Sequence, residues 1–430
     1  MSKVFDLIEK EKHRQKFGLE MIPSENYTSE NVMAANGSIL TNKYSEGHPG
    51  QRYYGGNEII DEIERYAQDL ANKLFKTEHA IVQPHSGSPA NLAVALELAG
   101  PGGVTLGLDL VAGGHLTHGA VASWTGKLFD AKTYGVNQET GRIDLEEVRK
   151  IAREVKPKMI WVGTTAYPYQ LDYKGFGEIA DEVGAFLVAD TSHISGLIVT
   201  GLHPDPVPYV HVITTTTHKT LRGPRGAIIL ITKKGLEKDP DLAKRLEKSV
   251  MPGLQGGPHD HQTAAIAIAL EEAMDPSFKD YTEQVIKNTK ILAEELGCES
   301  ETHLILKDLK EYGFGMGYQA QFALEEVGIT VNRNTVPGEE ASAFYPSGIR
   351  LGTPALTTRG MNEVDMRRIA GWIKKAMEEI RGMDLPKEQE KRKDFLKEVK
   401  QKLRENENLK KIRIEVSDFA GKFPVPGIRT

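Results

Sequence analysis

The chain has 430 residues, with 54 Lys and Arg against 60 Asp and Glu, a formal charge of −6 and 39% hydrophobic residues. That balance, without a basic stripe, excludes the electrostatic footprint of a nucleic-acid binder. No run reaches the ~18 apolar residues of a membrane span, the N-terminus lacks a signal-peptide core, and the single cysteine, Cys298, allows no intramolecular disulfide, so a cytoplasmic setting without membrane partners is expected.

Residues 1–17 carry helical periodicity. The stretch at 22–57 is rich in Gly, Tyr and polar residues and too long for an ordinary loop, which marks a functional segment. From residue 58 the pattern alternates. EIIDEIERYAQDLANKLF reads as a helix, HAIVQ as a strand, PANLAVALELAG as a helix and KMIWVGTT as a strand. FGEIADEVG reads as a helix, and AFLVAD, VHVITTTT and GAIILIT as strands. Helices alternating with short buried strands predict an α/β domain with a parallel sheet wrapped by helices. TAAIAIALEEAM is helical, and beyond residue 280 helix and strand alternate more loosely, through the amphipathic MNEVDMRRIAGWIKKAMEEI. The expected division is an N-terminal arm at 1–57, a large α/β domain at 58–275 and a smaller α+β domain at 276–430. The Lys-rich stretch at 387–411 is interleaved with Glu and reads as a solvated helix.

Parallel sheets gather ligands at the carboxyl ends of their strands. After HAIVQ come Ser86, Gly87 and Ser88 at a helix start, where free N–H groups and the helix dipole suit a phosphate. Asp190 closes AFLVAD, and a buried carboxylate there needs a cationic partner. After VHVI come four threonines, His218 and Lys219, then a Gly/Pro turn; a desolvated lysine in that place can form a Schiff base. Phosphate cup, carboxylate and lysine are the groups a pyridoxal-phosphate site needs. Other signals are weaker. GAVASWTGK suggests a P-loop, but Gly119 and Gly126 are too far apart. His115 with His118, and His259 with His261, suggest metal ligands, but neither pair has a third ligand nearby in sequence, so no metal is expected.

TTTTHKTLRGPRGAI resembles the cofactor-lysine motif of serine hydroxymethyltransferases. SENYTS, LTNKYSEGHPGQRYYGGNE, QPHSGSPAN, GGHLTHG, VADTSHISGLI and SGIRLGTPALTTRG resemble the family as well, from about residue 22 to residue 360. The resemblance implies the fold type I architecture of pyridoxal-phosphate enzymes, with a seven-stranded type of sheet. It also implies reversible one-carbon transfer between L-serine and a reduced pterin, tetrahydrofolate or, as in archaeal members, tetrahydromethanopterin, giving glycine. Lys219 would carry pyridoxal phosphate, Asp190 would face its ring nitrogen, His193 and Thr165 its phenolic oxygen, and His115 its ring face. Ser86, Gly87 and Ser88 would hold the phosphate, with Gly256 and Gly257 reaching it from a second subunit. His218 and Arg225 would flank the lysine, and Thr216 would orient the ring or relay protons. Arg350 would bind the substrate carboxylate, assisted by Ser24. Tyr44, Glu46, Tyr53 and Tyr54 would come from the partner of a homodimer with shared sites, with Glu46 as the acid–base group. Leu110, Gly114, Leu116 and Asn334 would line the pterin pocket. Three departures fall on that side: His48 where many members have Tyr, Pro89 where many have Gln, and a shorter NTVPGEEASAFYPSGIR. A threonine aldolase or another enzyme of the same fold would share the lysine and aspartate. A non-catalytic regulator of this fold would be expected to lose Lys219 or Arg350.

Overall fold

Runs of β-branched and aliphatic residues build the central sheet. Val212–Thr216 and Ala227–Ile231 are buried along their whole length, as expected for strands covered on both faces. In the computed structural model, which describes residues 2–342 and 344–428, the chain forms two compact units. One comprises residues 28–165 and 170–282, the other residues 1–27, 166–169 and 283–430.

The larger unit carries β1 (His79–Ile81), β2 (Val104–Leu108), β3 (Asp130–Tyr134), β4 (Met159–Gly163), β5 (Phe186–Asp190), β6 (Val212–Thr216) and β7 (Ala227–Ile231). Their order is β1-β7-β6-β5-β4-β2-β3. The pairs from β3 to β6 are parallel, and β7 runs antiparallel to both β6 and β1. The sheet is therefore mostly parallel, with the carboxyl ends of β4, β5 and β6 side by side. Ile81, Val94, Met159, Trp161, Val188 and Ile229 meet in its core. The helix Glu58–Phe75 buries Ile60, Glu64, Ala67, Ala71 and Phe75 along one face, and it packs on Asp260–Met274. The polar stretch after residue 27 is not a loop throughout. It holds a short helix (Glu30–Asn36), a 3₁₀ turn (Ile39–Asn42) and a hairpin pairing Gly47–His48 with Gln51–Arg52.

The smaller unit is built on β8 (Leu304–Asp308), β9 (Asn332–Asn334) and β10 (Gly348–Gly352), antiparallel in the order β8-β10-β9. Leu19–Glu20 pairs with Ile329–Thr330. The Lys/Glu-rich stretch is not a fully solvated helix. It forms Gln389–Glu405 and Glu407–Ala420, whose Leu396, Val399, Leu403, Leu409, Ile412 and Phe419 are buried, because apolar residues recur at helical spacing beneath the charges. The Arg359 guanidinium donates to the carbonyls of Gln15, Lys16, Gly18, Ala420 and Phe423, tying the ends of Lys3–Phe17 and Glu407–Ala420 together. Among the described residues no helix is long and apolar enough to cross a membrane.

Candidate active site

The loop after β6 carries Lys219, which is 9% exposed and donates from Nζ to Thr216 Oγ1 at 2.7 Å. Neighbouring hydroxyls fix that loop against the one after β5. Ser192 Oγ accepts from Thr216 N (3.0 Å), and Thr220 Oγ1 donates to the carbonyl of His193 (3.0 Å) while accepting from Gly196 N (3.0 Å). The threonine run thus serves the packing of two loops as well as the lysine. His218 is pushed down to about 3, by burial first and then by the charges of Lys219 and Arg225, so it is neutral. Arg225 itself is exposed.

Asp190 ends β5 and is 6% exposed. Its Oδ2 accepts from Asn91 Nδ2 (2.8 Å) and His118 Nε2 (3.1 Å), its Oδ1 from Ser192 N (3.1 Å). Burial works against ionisation, but the hydrogen bond and charge of His118, then the charge of His115 and the bond from Ser192, outweigh it and hold Asp190 well below the usual carboxylate range. His118 Nδ1 accepts from His115 N (3.4 Å), which turns Nε2 toward Asp190 as the donor. His118 also stacks on Trp161 with centroids 4.9 Å apart. His115 and Thr117 extend the network, with His115 Nδ1 2.7 Å from Thr117 Oγ1 and Asn91 Nδ2 2.8 Å from the same oxygen.

The expectation that the His115–His118 pair lacks a third ligand fails: Asp190 lies with both, the three ligand atoms within 4.8 Å of one another. Sequence distance hid it, since Asp190 is 72 residues from His118. The ring nitrogens His118 Nε2 and His115 Nδ1 are engaged with Asp190 and Thr117, so the cluster is a hydrogen-bond network around one carboxylate.

Ser86 is the N-cap of Gly87–Leu98, yet its side chain makes no capping bond, which leaves the hydroxyl beside the unpaired N–H groups of the first turn. Ser88 is exposed. Gly87 is required there: a Cβ would lie 2.7 Å from Thr216 Cγ2. Thr165 N donates to Gly113 O (2.7 Å), which brings Thr165 to the turn that holds Gly114. A Cβ on Gly114 would lie 1.9 Å from Leu108 O, so this turn too admits only glycine. Leu110 and Leu116 stand exposed on either side of that turn, and His193 is buried.

A second cluster in the same unit surrounds Glu46. Tyr44 and Tyr54 donate their hydroxyls to its two carboxylate oxygens, each at 3.2 Å. The charge of Glu46 raises the Tyr54 phenol above its ordinary value. Gly256 and Gly257 lie against this cluster, since a Cβ on Gly256 would be 2.8 Å from Glu46 Oε1 and one on Gly257 3.2 Å from the Tyr44 ring. Tyr53 is exposed.

In the smaller unit Arg350 sits mid-strand in β10, 6% exposed, with Nε donating to Asn332 Oδ1 at 3.0 Å. Burial pushes it down to about 10. Gly352 N donates to Met21 O (2.7 Å) and a Cβ on Gly352 would strike Pro23, so the segment bearing Ser24 runs along the end of β10. Asn334, on β9, donates to Thr335 O.

Sequence reasoning missed Asn91, Thr117, Ser192 and Asn332 and weighed His118 only as a metal ligand, whereas all five hold the named residues in place. Four of the five lie inside quoted motifs, QPHSGSPAN, GGHLTHG and VADTSHISGLI; Asn332 lies outside them.

The residues present fit pyridoxal phosphate. Asp190 is a buried carboxylate held in its charged form and suits a protonated ring nitrogen, and Asn91 Oδ1, Thr214 Oγ1 and His218 Nδ1 are buried polar atoms without hydrogen-bond partners. A seven-stranded, mostly parallel sheet with this lysine, carboxylate and helix N-terminus at its strand ends defines the fold type I pyridoxal-phosphate enzymes. The family model for serine hydroxymethyltransferase matches residues 1–373. A serine hydroxymethyltransferase of Acidothermus cellulolyticus (strain ATCC 43068 / DSM 8971 / 11B) is 48% identical over 433 residues, covering 99% of this chain and 96% of that protein. The chain belongs to the serine hydroxymethyltransferase family, and its reaction is one-carbon transfer between serine and glycine.

Proposed function

We propose that this enzyme carries pyridoxal phosphate on Lys219 and passes the hydroxymethyl carbon of L-serine to a reduced pterin. The observation that carries the reading is the buried lysine 2.7 Å from Thr216 Oγ1, on a loop hydrogen-bonded to the one that follows Asp190. When bound, the cofactor supplies an electron-withdrawing ring that takes up the electron pair of a bond broken at Cα.

The protein's own residues do the rest. Asp190 keeps the proton on the ring nitrogen, and Ser86, Gly87 and Ser88 hold the phosphate. His193 and Thr165 would hold the phenolic oxygen, and His115 would hold the ring from one face. His218, neutral, and Arg225 flank the lysine, and Thr216 orients its amine. Arg350 grips the substrate carboxylate as a fork, assisted by Ser24, and so aligns the scissile bond; this is catalysis by positioning. Its burial supports this role, because a buried guanidinium favours a carboxylate partner. Glu46 exchanges a proton with the transferred one-carbon unit or with the pterin nitrogen, held by Tyr44 and Tyr54. Tyr53, Gly256 and Gly257 join it, across a homodimer, in the site of the other subunit. Leu110, Gly114, Leu116 and Asn334 line the pterin side. The setting is cytoplasmic, residues 1–57 serve as the arm and dimer-contact segment, 58–275 hold the cofactor, and 276–430 hold the carboxylate clamp.

Borohydride reduction of the loaded enzyme followed by peptide mapping tests the assignment. The pyridoxyl group is expected on the peptide containing Lys219, and Lys219→Ala is expected to lose the visible absorbance and the label. A label elsewhere, or full activity of the variant, refutes it. Serine cleavage measured side by side with tetrahydrofolate and tetrahydromethanopterin identifies the acceptor, and no stimulation by either overturns the pterin assignment.

A further inference from the structure

Glu46 lies between two peptide carbonyls that are both taken by one guanidinium. Arg52 Nη1 donates to Ser45 O and to Gly47 O, each at 2.8 Å. The rest of that side chain is anchored on the helix Glu58–Phe75, through Nε to Asp61 Oδ1 (2.8 Å) and Nη2 to Glu64 Oε2 (2.6 Å). The Arg52 and Glu64 side chains are 4% and 2% exposed. Glu46's own carbonyl accepts from Tyr53 N (2.9 Å). Gln83 Nε2 adds a second bond to Gly47 O (3.0 Å) while donating to Glu64 Oε1 (2.7 Å). Three consecutive carbonyls around one carboxylate-bearing residue are therefore held. Gly47 has φ +105, and a Cβ there would lie 2.4 Å from Gln51 O, so the turn has no slack.

This is more than two-residue strands need to pair. A buried cation between two carboxylates is costly to assemble and contributes little net stability, yet a rigid fork fixes direction. Burial raises the Glu64 carboxyl, and Arg52 opposes that rise by its charge and its hydrogen bond. We propose that Arg52 is a positioning residue that fixes the backbone on both sides of Glu46, so that its carboxylate meets the pterin-dependent step in one geometry. This rests on the reading of Glu46 as the acid–base group.

Arg52→Lys keeps the charge but cannot span two carboxylates and two carbonyls. The turnover of pterin-dependent serine cleavage is expected to fall about 100-fold, the scale of an ångström-sized misplacement. Cleavage of 3-phenylserine, whose aldehyde leaves without an acceptor, is expected to change less than about threefold, since that route bypasses the step assigned to Glu46. Hydrogen exchange of the Tyr53 amide is expected to speed up, because the carbonyl it bonds is no longer flanked by fixed neighbours. Adding Arg52→Lys to Glu46→Gln is expected to cost nothing beyond Glu46→Gln alone, as for two residues acting through one group. If Arg52→Lys does not fold, Arg52→Gln with Glu64→Gln removes the fork and leaves fewer unpaired charges. Equal losses in both reactions mean that Arg52 only supports the fold, and the inference falls. A normal pterin-dependent rate in Arg52→Lys beside a slow Glu46→Gln overturns the inference alone. A normal rate in Glu46→Gln overturns the role of Glu46 and the inference with it.

Discussion

Asp190 sits 6% exposed among three donors, the Asn91 amide, the His118 imidazole and the Ser192 backbone, which hold it well below the usual carboxylate range. A carboxylate kept ionised that deep in the fold is suited to a cation that comes to meet it. Asp190→Asn removes the charge at nearly constant shape. Cofactor affinity, measured by fluorescence titration, is expected to fall, and turnover to drop by about 100-fold or more, as for other electrostatic groups in closed sites. A variant with normal turnover would show that the ring nitrogen does not need this partner. Lys219, Asp190 and Ser86 could be read from the sequence because each follows a strand or opens a helix, where parallel sheets gather ligands. Asn91 and His118 could not, since nothing local ties them to a carboxylate 99 and 72 residues away. The same distance hid the convergence of His115, His118 and Asp190. Asn332 was invisible for another reason: it meets Arg350 only through the antiparallel register of β9 and β10.

Strands whose apolar pattern is continuous were legible, the edge strand β1 among them, whereas β2 and β3 were not. β4 to β7 read as strands because nearly every residue is buried. β3 is polar and largely open to solvent, as edge strands are, and β2 is interrupted by Gly107, so neither carried a clear period. The junction of β5 and β6 has its own pH response. His211 precedes β6 and accepts the Leu187 N–H on Nδ1 at 2.9 Å. Burial, and then the charges of Lys238 and Lys234, push it down to about 4. The unfolded chain takes up a proton near pH 6.5 that the folded chain refuses until about 4, so stability is full above 6.5 and is lost as pH falls through that window. The loss is on the order of 3 kcal/mol. His211→Asn keeps an acceptor for Leu187 N–H and does not titrate. Chemical denaturation at several pH values is expected to show a shallower decline between 6.5 and about 4 for the variant; parallel curves would remove His211 as the cause.

At the scale of the molecule, one chain leaves Glu46 among side chains that water does not favour. Tyr44, Tyr53 and Tyr54 are 56%, 71% and 50% exposed, and Ile39 is 83% exposed. Exposed aromatic groups gathered around a carboxylate suit a surface that meets another protein. In the sequence the same stretch is rich in Gly, Tyr and polar residues and reads as a functional segment, and the family resemblance is what implies a dimer contact there. A two-fold dimer that exchanges this segment would build each site from Lys219 of one chain and Glu46 of the other. That arrangement has a numerical signature. In an equal mixture of Lys219→Ala and Glu46→Gln chains, dissociated and reassembled at random, half of the dimers are mixed. Each mixed dimer has one site with both lesions and one with neither, so about a quarter of the wild-type, pterin-dependent activity returns. Sites complete within one chain give no intact combination, and the mixture then stays at the average of the two variants. Recovery that grows with the time allowed for exchange of subunits is the expected result, and its absence would return Glu46 to the site of its own chain.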